Sequence, residues 1–255
     1  MKFSIFLLAL VAVLAIRAPA AVITWETSVQ MYPGTTVQTF VNTSGTGLLA
    51  YSATATTNGS AIVNGVDFDY ATGAELAAGV TQNGVTVTYA DSLDNHSTAF
   101  GDGSFAYDND IYNLIASSTW GATTVTLSGL TIGQEYMLQI FGNDSRNGRH
   151  WDFETGFSDG VNNLAYSLSA GTAGRLSLSN RNPISGEGEP SGDYIIGTFI
   201  ANAVTQSFEI NGSVDGFSSY NTGRAQINGL QLREIPEPAT LSLLALGGLL
   251  IRKRK

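Results

Sequence analysis

The densest cluster of polar and aromatic side chains in this sequence runs over residues 143–154. Trp151 offers an aromatic face on which a sugar ring can stack. Four neighbouring side chains carry hydrogen-bonding groups suited to sugar hydroxyls: Asp144, Arg146, Arg149 and Asp152. The cluster therefore predicts a carbohydrate-binding loop. An alternative stays open, in which the arginines pair with acids of the same loop and Trp151 plugs the end of the domain.

Catalysis is not indicated by the sequence. Asp152 and Glu154 share a face if this stretch is extended, and glycosidases use two carboxylates about 5–9 Å apart, but such pairs are common on acidic β-surfaces. His96 lies near Asp94 in sequence, yet no Gly-x-Ser-x-Gly elbow accompanies it, and no His-x-x-x-His zinc pair exists. We therefore expect the protein not to be an enzyme, and a secreted polysaccharide hydrolase is the least favoured alternative.

Several aspartates are candidates for calcium ligands, because calcium prefers carboxylate and carbonyl oxygens in flexible loops. The candidates are Asp67, Asp69, Asp108 and Asp110. The EF-hand pattern is absent, and aspartates also cap turns and helices. We expect no cofactor, with a structural calcium ion as the open alternative.

Charge and cysteine content exclude several classes of function. Between residues 21 and 234 the chain has six arginines, no lysine and twenty acids, which gives a net charge near −14. A surface of that sign repels nucleic acid and anionic lipid. The chain has no cysteine, so disulfides, thiolate catalysis and thiolate metal sites are excluded.

The first 20 residues have the three parts of a secretory signal peptide. Lys2 supplies the basic start, an apolar run extends over residues 3–16, and Ala18-Pro19-Ala20 forms an Ala-x-Ala cleavage site. We predict cleavage after Ala20 and export of residues 21–234 as one folded domain. A buried helix or a membrane anchor is the alternative, although the run is short for a span, which needs about 20 apolar residues.

Residues 235–255 also divide into three parts. The motif Pro236-Glu237-Pro238 is followed by an apolar stretch over residues 239–251 and by four basic residues, Arg252, Lys253, Arg254 and Lys255. A helix of that stretch would be about 20 Å long, which is shorter than the roughly 30 Å of a bilayer core. The basic cluster is typical of a stop-transfer signal that stays in the cytoplasm. A simple C-terminal membrane anchor is the alternative interpretation.

These three parts, in this order, resemble the PEP-CTERM sorting domain. The resemblance covers residues 235–255 only. It implies recognition by a membrane protease-transpeptidase of the exosortase type and removal of the tail near residues 236–238. It also implies transient anchoring in the inner membrane, followed by transfer to the cell surface or the extracellular matrix.

Alternation of apolar and polar residues dominates the middle of the chain and predicts short β-strands. These are residues 22–27, 36–41, 48–55, 84–89, 194–201, 206–211 and 225–233. The best hairpin is predicted for residues 123–141, with arms at 124–127 and 135–141. Asn-Gly pairs, which favour tight turns, occur among others at Asn64-Gly65, Asn83-Gly84 and Asn211-Gly212.

Residues 110–116 break the strand pattern, because Ile111, Leu114 and Ile115 fall at helical spacing. They predict one short helix packed against an end of the sheet. Many short strands without a βαβ rhythm indicate an all-β fold. We expect an antiparallel, jelly-roll-like β-sandwich with one short helix, flanked by an N-terminal signal helix and a C-terminal hydrophobic helix.

A second resemblance concerns the domain itself. The order of Trp120, the predicted hairpin, Asn143-Asp144-Ser145-Arg146 and the closing strand 226–233 is similar to that of galactose-binding-like jelly rolls in exported envelope proteins. Such folds include lectin-like modules as well as inert spacers. The resemblance implies a non-catalytic envelope or matrix protein whose ligand is an exopolysaccharide or a surface glycan. A purely structural spacer or adhesin is the alternative.

Overall fold

Two β-sheets face each other across an apolar core, because every second side chain of their strands points to the same side. The computed structural model describes residues 20–30, 37–54, 59–91, 94–96, 113–115, 118–142, 153–161, 175–177, 193–214 and 225–236. The predicted all-β sandwich is confirmed. Both predicted terminal helices lie outside the described residues. Within those residues, no helix has the length and apolar character needed to cross a bilayer.

The larger sheet has eight strands: β1 (Thr24–Trp25), β2 (Val29–Gln30), β3 (Thr46–Ala53), β4 (Ser60–Val63), β5 (Val66–Ala71), β11 (Glu135–Gly142), β14 (Asp193–Ile200) and β17 (Gly229–Ile235). Their order is β1-β14-β11-β17-β3-β5-β4, and β2 also pairs with β14. The pairing of β3 with β5 is parallel, which corrects the wholly antiparallel prediction. After β3 the chain passes to β4 at the edge of the sheet. The β4–β5 hairpin then places β5 between β4 and β3, where it runs parallel to β3.

The smaller sheet has six strands in the order β13-β12-β15-β10-β7-β6. They are β6 (Val80–Gln82), β7 (Val85–Tyr89), β10 (Thr123–Ser128), β12 (Phe153–Phe157), β13 (Arg175–Ser177) and β15 (Thr205–Val214). A third sheet, in the order β16-β9-β8, contains three short strands: β8 (Asp94–His96), β9 (Ser118–Trp120) and β16 (Gln226–Ile227).

A hydrogen bond between two tyrosines links the two large sheets within the core. Alternate residues of β10, such as Val125 and Leu127, are buried in this core. In this core the hydroxyls of Tyr51 on β3 and Tyr89 on β7 lie 2.5 Å apart and share a hydrogen bond. Both rings are fully buried. The bond therefore satisfies two phenol groups that water does not reach and joins the two sheets.

A second, smaller core covers the outward face of the larger sheet. Ala50 and Phe141 on that face pack with Val41 and Leu114. Residues 37–45, which connect β2 to β3, therefore lie over the sheet and give it a second buried side. This explains why β11 is buried at nearly every position rather than at alternate ones.

The strand predicted for residues 36–41 is wrong, because Val37–Phe40 form a 3-10 helix. A buried amide on the sheet accounts for the difference. Gln139 accepts a hydrogen bond from Asn42 N at 3.0 Å and donates to Phe40 O at 2.6 Å. These side-chain bonds replace those of a strand partner, so the segment crosses the sheet instead of joining it.

The hairpin predicted for residues 123–141 is also wrong, although both of its strands exist. β10 pairs with β7 and β15 in the smaller sheet, whereas β11 pairs with β14 and β17 in the larger one. The connection bonds to the β14–β15 turn, with Leu130 N donating to Val204 O at 3.1 Å and Gly133 N to Ala201 O at 2.7 Å. The alternation of apolar and polar residues does not distinguish a hairpin from two strands in facing sheets, because in both cases each strand points an apolar face into the same core.

Helical structure differs in part from the prediction. Residues 113–115 are helical and lie within the predicted helix at 110–116, the rest of which is outside the described residues. A further helix, α1 (Gly73–Ala78), was not predicted. The capping box between Thr72 and Glu75 marks its start, and this is a signal that the sequence contains.

Two predicted Asn-Gly turns are confirmed. The φ angles are 51° and 72° at Asn64-Gly65, and 47° and 81° at Asn83-Gly84, as a type I′ hairpin turn requires. Asn211-Gly212 is not a turn, because both residues lie inside β15.

The tyrosine pair should make stability fall at alkaline pH. Burial raises the pKa of Tyr51 well above its ordinary value and raises that of Tyr89 to about 12. Unfolded tyrosines ionise near about pH 10, so above that pH the unfolded state loses protons that the folded state keeps, and the free energy of unfolding falls. We expect the denaturant midpoint to decline between about pH 10 and 12, and to decline less in a Tyr51→Phe/Tyr89→Phe variant. Equal declines in the two proteins would contradict this.

Candidate functional site

The sites predicted from the sequence lie only partly within the described structure. Asp67, Asp69 and Pro236 are described, and all three are exposed. The other predicted site residues lie outside the described ranges: Asp108, Asp110, Asp144, Arg146, Arg149, Trp151, Asp152, Glu237, Pro238, Arg252, Lys253, Arg254 and Lys255.

A polar cleft of about 430 Å³ lies where β3 meets the turns of the β4–β5 and β6–β7 hairpins. Its described lining comes from segments that are distant in sequence, namely residues 43, 47–50, 64–67, 82–83, 231 and 233. We call this feature the polar cleft. Both confirmed type I′ turns contribute to it, since a tight turn places asparagine side chains next to β3.

Arg233 provides a buried positive charge beside the cleft. Its side chain is 8% exposed. The guanidinium donates to three successive main-chain carbonyls: Nε to Ser44 O at 2.8 Å, and Nη2 to Thr43 O at 2.9 Å and Gly45 O at 2.7 Å. Burial lowers the pKa of Arg233, yet an arginine side chain remains protonated in proteins. The dipoles of three main-chain carbonyls therefore stabilise the buried charge of Arg233, which a carboxylate usually does.

Two buried glutamines continue this arrangement across the sheet. Gln139 on β11 and Gln231 on β17 lie directly opposite each other, and Gln231 Nε2 donates to Gln139 Oε1 at 2.6 Å and to Asn42 O at 2.9 Å. Arg233 Nη1 donates to Gln231 Oε1 at 3.5 Å. We call Gln139, Gln231 and Arg233 the buried ladder. It binds the main chain of residues 40–45 to the outward face of the larger sheet.

The opposite wall of the cleft comes from the β6–β7 turn. Gln82 accepts from Ala50 N at 2.7 Å and donates to Ala50 O at 2.9 Å, so its amide imitates a neighbouring strand. Asn83 Nδ2 donates to Leu48 O at 3.0 Å. Both residues bond to β3, and they therefore hold the smaller sheet against the larger one at this position.

Three side chains of the cleft have hydrogen-bond acceptors without a donor among the described residues. Asn64 Nδ2 donates to Val41 O at 2.8 Å, and neither its Oδ1 nor that of Asn83 has a partner among the described residues. The Asp67 carboxylate is exposed and likewise has no partner within the described part of the chain. Sugar hydroxyl groups donate to carboxylate and amide oxygens. The arrangement is therefore suited to a small, hydroxyl-rich ligand.

The calcium prediction stays a prediction. Asp67 and Asp69 lie on the same face of β5, as their alternation requires. The Asp69 carboxylate accepts a hydrogen bond from Gln82 Nε2 at 2.8 Å. No group of three or more His, Cys, Asp or Glu side chains suited to a metal ion occurs among the described residues. The predicted partners Asp108 and Asp110 lie outside them.

Sequence reasoning did not single out Arg233, Asn64 or Asn83 as site residues. The Asn-Gly pairs were recognised only as turns. Arg233 was assigned only to the last strand, although an arginine in the interior of a β-pattern signals a buried partner. The residues of the cleft come from both sheets, so no local sequence motif predicts that they lie together.

The comparisons with known proteins leave the family open. No protein-family model and no curated protein matches the chain. Among solved structures, the extracellular domain of ANXUR2 from Arabidopsis thaliana is similar, with 13% sequence identity and a TM-score of 0.39. The alignment covers 74% of this chain and 41% of that one. The chain thus spans less than half of that domain.

Removing the Arg233 guanidinium should destabilise the fold. An Arg233→Met variant keeps the length and the apolar stem but leaves three carbonyls without their donor. We expect the free energy of unfolding to fall by about 1–3 kcal/mol in urea titrations. Glu234→Gln, which changes a half-buried acid next to Arg233, is the control. Its free energy of unfolding should stay within about 0.5 kcal/mol of the wild-type value. If both variants match the wild type, the ladder does not hold residues 40–45.

Proposed function

We propose that this protein is an exported, non-catalytic cell-envelope protein that is sorted through its C-terminal tail. The observation that carries the proposal is the position of the motif relative to the fold. β17 ends at Ile235, and Pro236, the first residue of Pro236-Glu237-Pro238, is exposed. A sorting enzyme could therefore approach the motif without unfolding the domain.

The strand that leads into the tail is firmly held. β17 lies between β11 and β3 and pairs with both of them up to its last residues. Gln134 Nε2 also donates to Ile235 O at 2.5 Å. Cleavage beyond Ile235 would remove none of these bonds, so the sandwich would remain folded after release. This supports a transient role for the tail, with an exosortase-type enzyme as its partner.

Sorting can be tested with a pair of matched variants in a host that has an exosortase-type enzyme. Glu237→Gln changes the acid of the motif, whereas Glu234→Gln makes the same chemical change three residues earlier on β17. We expect intact-mass measurement to find the tail removed from the wild type and from Glu234→Gln, and retained in Glu237→Gln, which stays with the membrane fraction. Identical masses and locations for all three proteins would refute the sorting role.

Carbohydrate binding is the more specific part of the proposal. We propose that the domain is a galactose-binding-like jelly roll that binds a sugar ligand. The unused oxygens of Asp67, Asn64 and Asn83 in the polar cleft support it. The described cleft lining contains one carboxylate, that of Asp67, whereas glycosidases use two, which favours binding over hydrolysis. The loop at residues 143–154, with Trp151, is the second candidate for the same ligand class. An exopolysaccharide or a surface glycan is the proposed partner.

Binding to purified exopolysaccharide should separate the two candidate sites. Asp67→Ala removes a charged acceptor from the cleft, and we expect roughly tenfold weaker binding, because a hydrogen bond to a charged group contributes about 1.5–3 kcal/mol. Asp91→Ala, at an exposed aspartate outside the cleft, is the matched control and should bind as the wild type does. A loss with Trp151→Ala alone assigns binding to the loop. No binding by the wild type leaves the spacer or adhesin alternative.

A further inference from the structure

Both ends of the folded domain lie at the same end of the sandwich. Ala21 N donates to the buried Gln206 Oε1 at 3.0 Å, which places the start of the fold beside the β14–β15 turn. The β10–β11 connection bonds to that turn at Ala201 and Val204, and its Gln134 reaches Ile235 O. We call this surface the terminal end, defined by residues 20–22, 130–134, 200–206 and 235–236.

The terminal end exposes aliphatic side chains. Seven large hydrophobic residues are exposed among those described, and four of them lie here: Val22 at 55%, Ile132 at 61%, Ile200 at 61% and Val204 at 57%. Single exposed aliphatics are ordinary, but a group on adjoining segments marks a contact surface.

The segments that define the terminal end contain no charged residue, although Asp159, whose main-chain oxygen accepts from Ile23 N at 2.8 Å, lies beside them. None of residues 20–22, 130–134, 200–206 or 235–236 is Asp, Glu, Lys or Arg, although residues 21–234 contain twenty acids. The acids next to these segments along the chain are Glu135 and Glu234, both half-buried, and Glu237, which lies outside the described residues. Segments that are aliphatic and uncharged suit contact with the apolar part of a neutral bilayer rather than binding to nucleic acid.

The length of the chain beyond the fold determines how near a membrane this end must be. Only Glu237 and Pro238 separate exposed Pro236 from the apolar stretch that begins at Ala239. Three residues span at most about 10 Å. As long as the apolar stretch is embedded in a bilayer, Pro236 is therefore held within about 10 Å of the lipid surface.

We infer that the terminal end rests on the lipid surface as long as the tail is embedded, with Ile132, Ile200 and Val204 in contact with lipid. The inference depends on the proposed tail anchor. It orients the domain: β11 ends at Gly142 on the opposite end, so the chain enters the predicted ligand loop away from the membrane. Removal of the tail ends the tether, and the acidic remainder of the domain then favours release from anionic membranes.

The test uses the full chain, reconstituted without sorting enzyme into phosphatidylcholine vesicles that contain a spin-labelled quencher lipid. Because the chain has no cysteine, one introduced cysteine carries one fluorophore. Val204→Cys reports on the terminal end. Val29→Cys is the matched control, an exposed valine beside Tyr194 at the other end of β14, about 20 Å away along the strand. We expect at least threefold stronger quenching at position 204, and equal quenching would overturn the inference.

A second arm separates lipid contact from mere proximity through the tether. A fluorophore at Thr131→Cys is compared in the otherwise unchanged chain and in chains that also carry Ile132→Ser/Ile200→Ser or, as the control, Ile62→Ser on the edge strand β4. We expect quenching to fall by half or more with the double change and to stay unchanged with the control. No change with either would overturn the lipid contact.

Two further outcomes are informative. Fluorophore self-quenching that rises with the protein-to-lipid ratio would assign the terminal end to contacts between copies of the chain and overturn the inference. A chain that fails to float with the vesicles would remove the anchor and the inference with it. Failure of the sorting test at Glu237 leaves these vesicle measurements unaffected, so the two proposals fail separately.

Discussion

The hydrogen bonds of the buried ladder connect nearly every functional feature of this protein. Gln139, Gln231 and Arg233 face away from the central core, where a β-sheet would ordinarily meet water. Their donors and acceptors satisfy the backbone of residues 40–45, and that segment closes a second core over the sheet. Three polar side chains thereby help to bury both faces of β11 and β17. Without them, the covering segment would lose both its backbone partners and its place.

The ladder also links the cleft to the tail. Arg233 borders the polar cleft and lies on the strand that ends at Ile235, so the site and the exit of the chain share one rigid element. Under the proposed function, β17 therefore has two tasks: it supports one wall of the cleft, and it resists the pull of an anchored tail. Pairing with β11 and β3 on either side makes both tasks possible.

The two ends of the sandwich differ in character. At one end the described domain begins and stops, at residues 20–22 and 235–236, and exposes aliphatic residues, whereas the chain enters the Trp151 segment from the other end at Gly142. This polarity follows from strand direction: β14 and β17 run oppositely to β11, so the β14–β15 turn, the β10–β11 connection and Ile235 meet at one edge. The Trp151 segment and the tail therefore follow opposite ends of the sandwich, whereas the polar cleft borders the terminal end through Arg233.

The strands that alternate most regularly were predictable from residues alone, because a period of two reports a half-buried strand directly. Val85 to Tyr89 and β10 are examples. Partner choice was not predictable. Val125 and Leu138 both point into one core, and nothing in their spacing shows that they approach it from different sheets. The parallel entry of β5 beside β3 was equally hidden, since it depends on β4 occupying the edge.

By itself, the sequence determined the all-β class, the tight turns at residues 64–65 and 83–84, the net charge of residues 21–234 and the order of parts at both ends of the sequence, because each is a local property. Only the tertiary structure decided that residues 37–40 form a 3-10 helix, that Arg233 is neutralised by carbonyls, and that Asn64, Asp67 and Asn83 share a cleft. The physical reason is distance along the chain. Buried amides and an arginine on β11 and β17 act on a segment about a hundred or more residues away, and local periodicity carries no record of that contact.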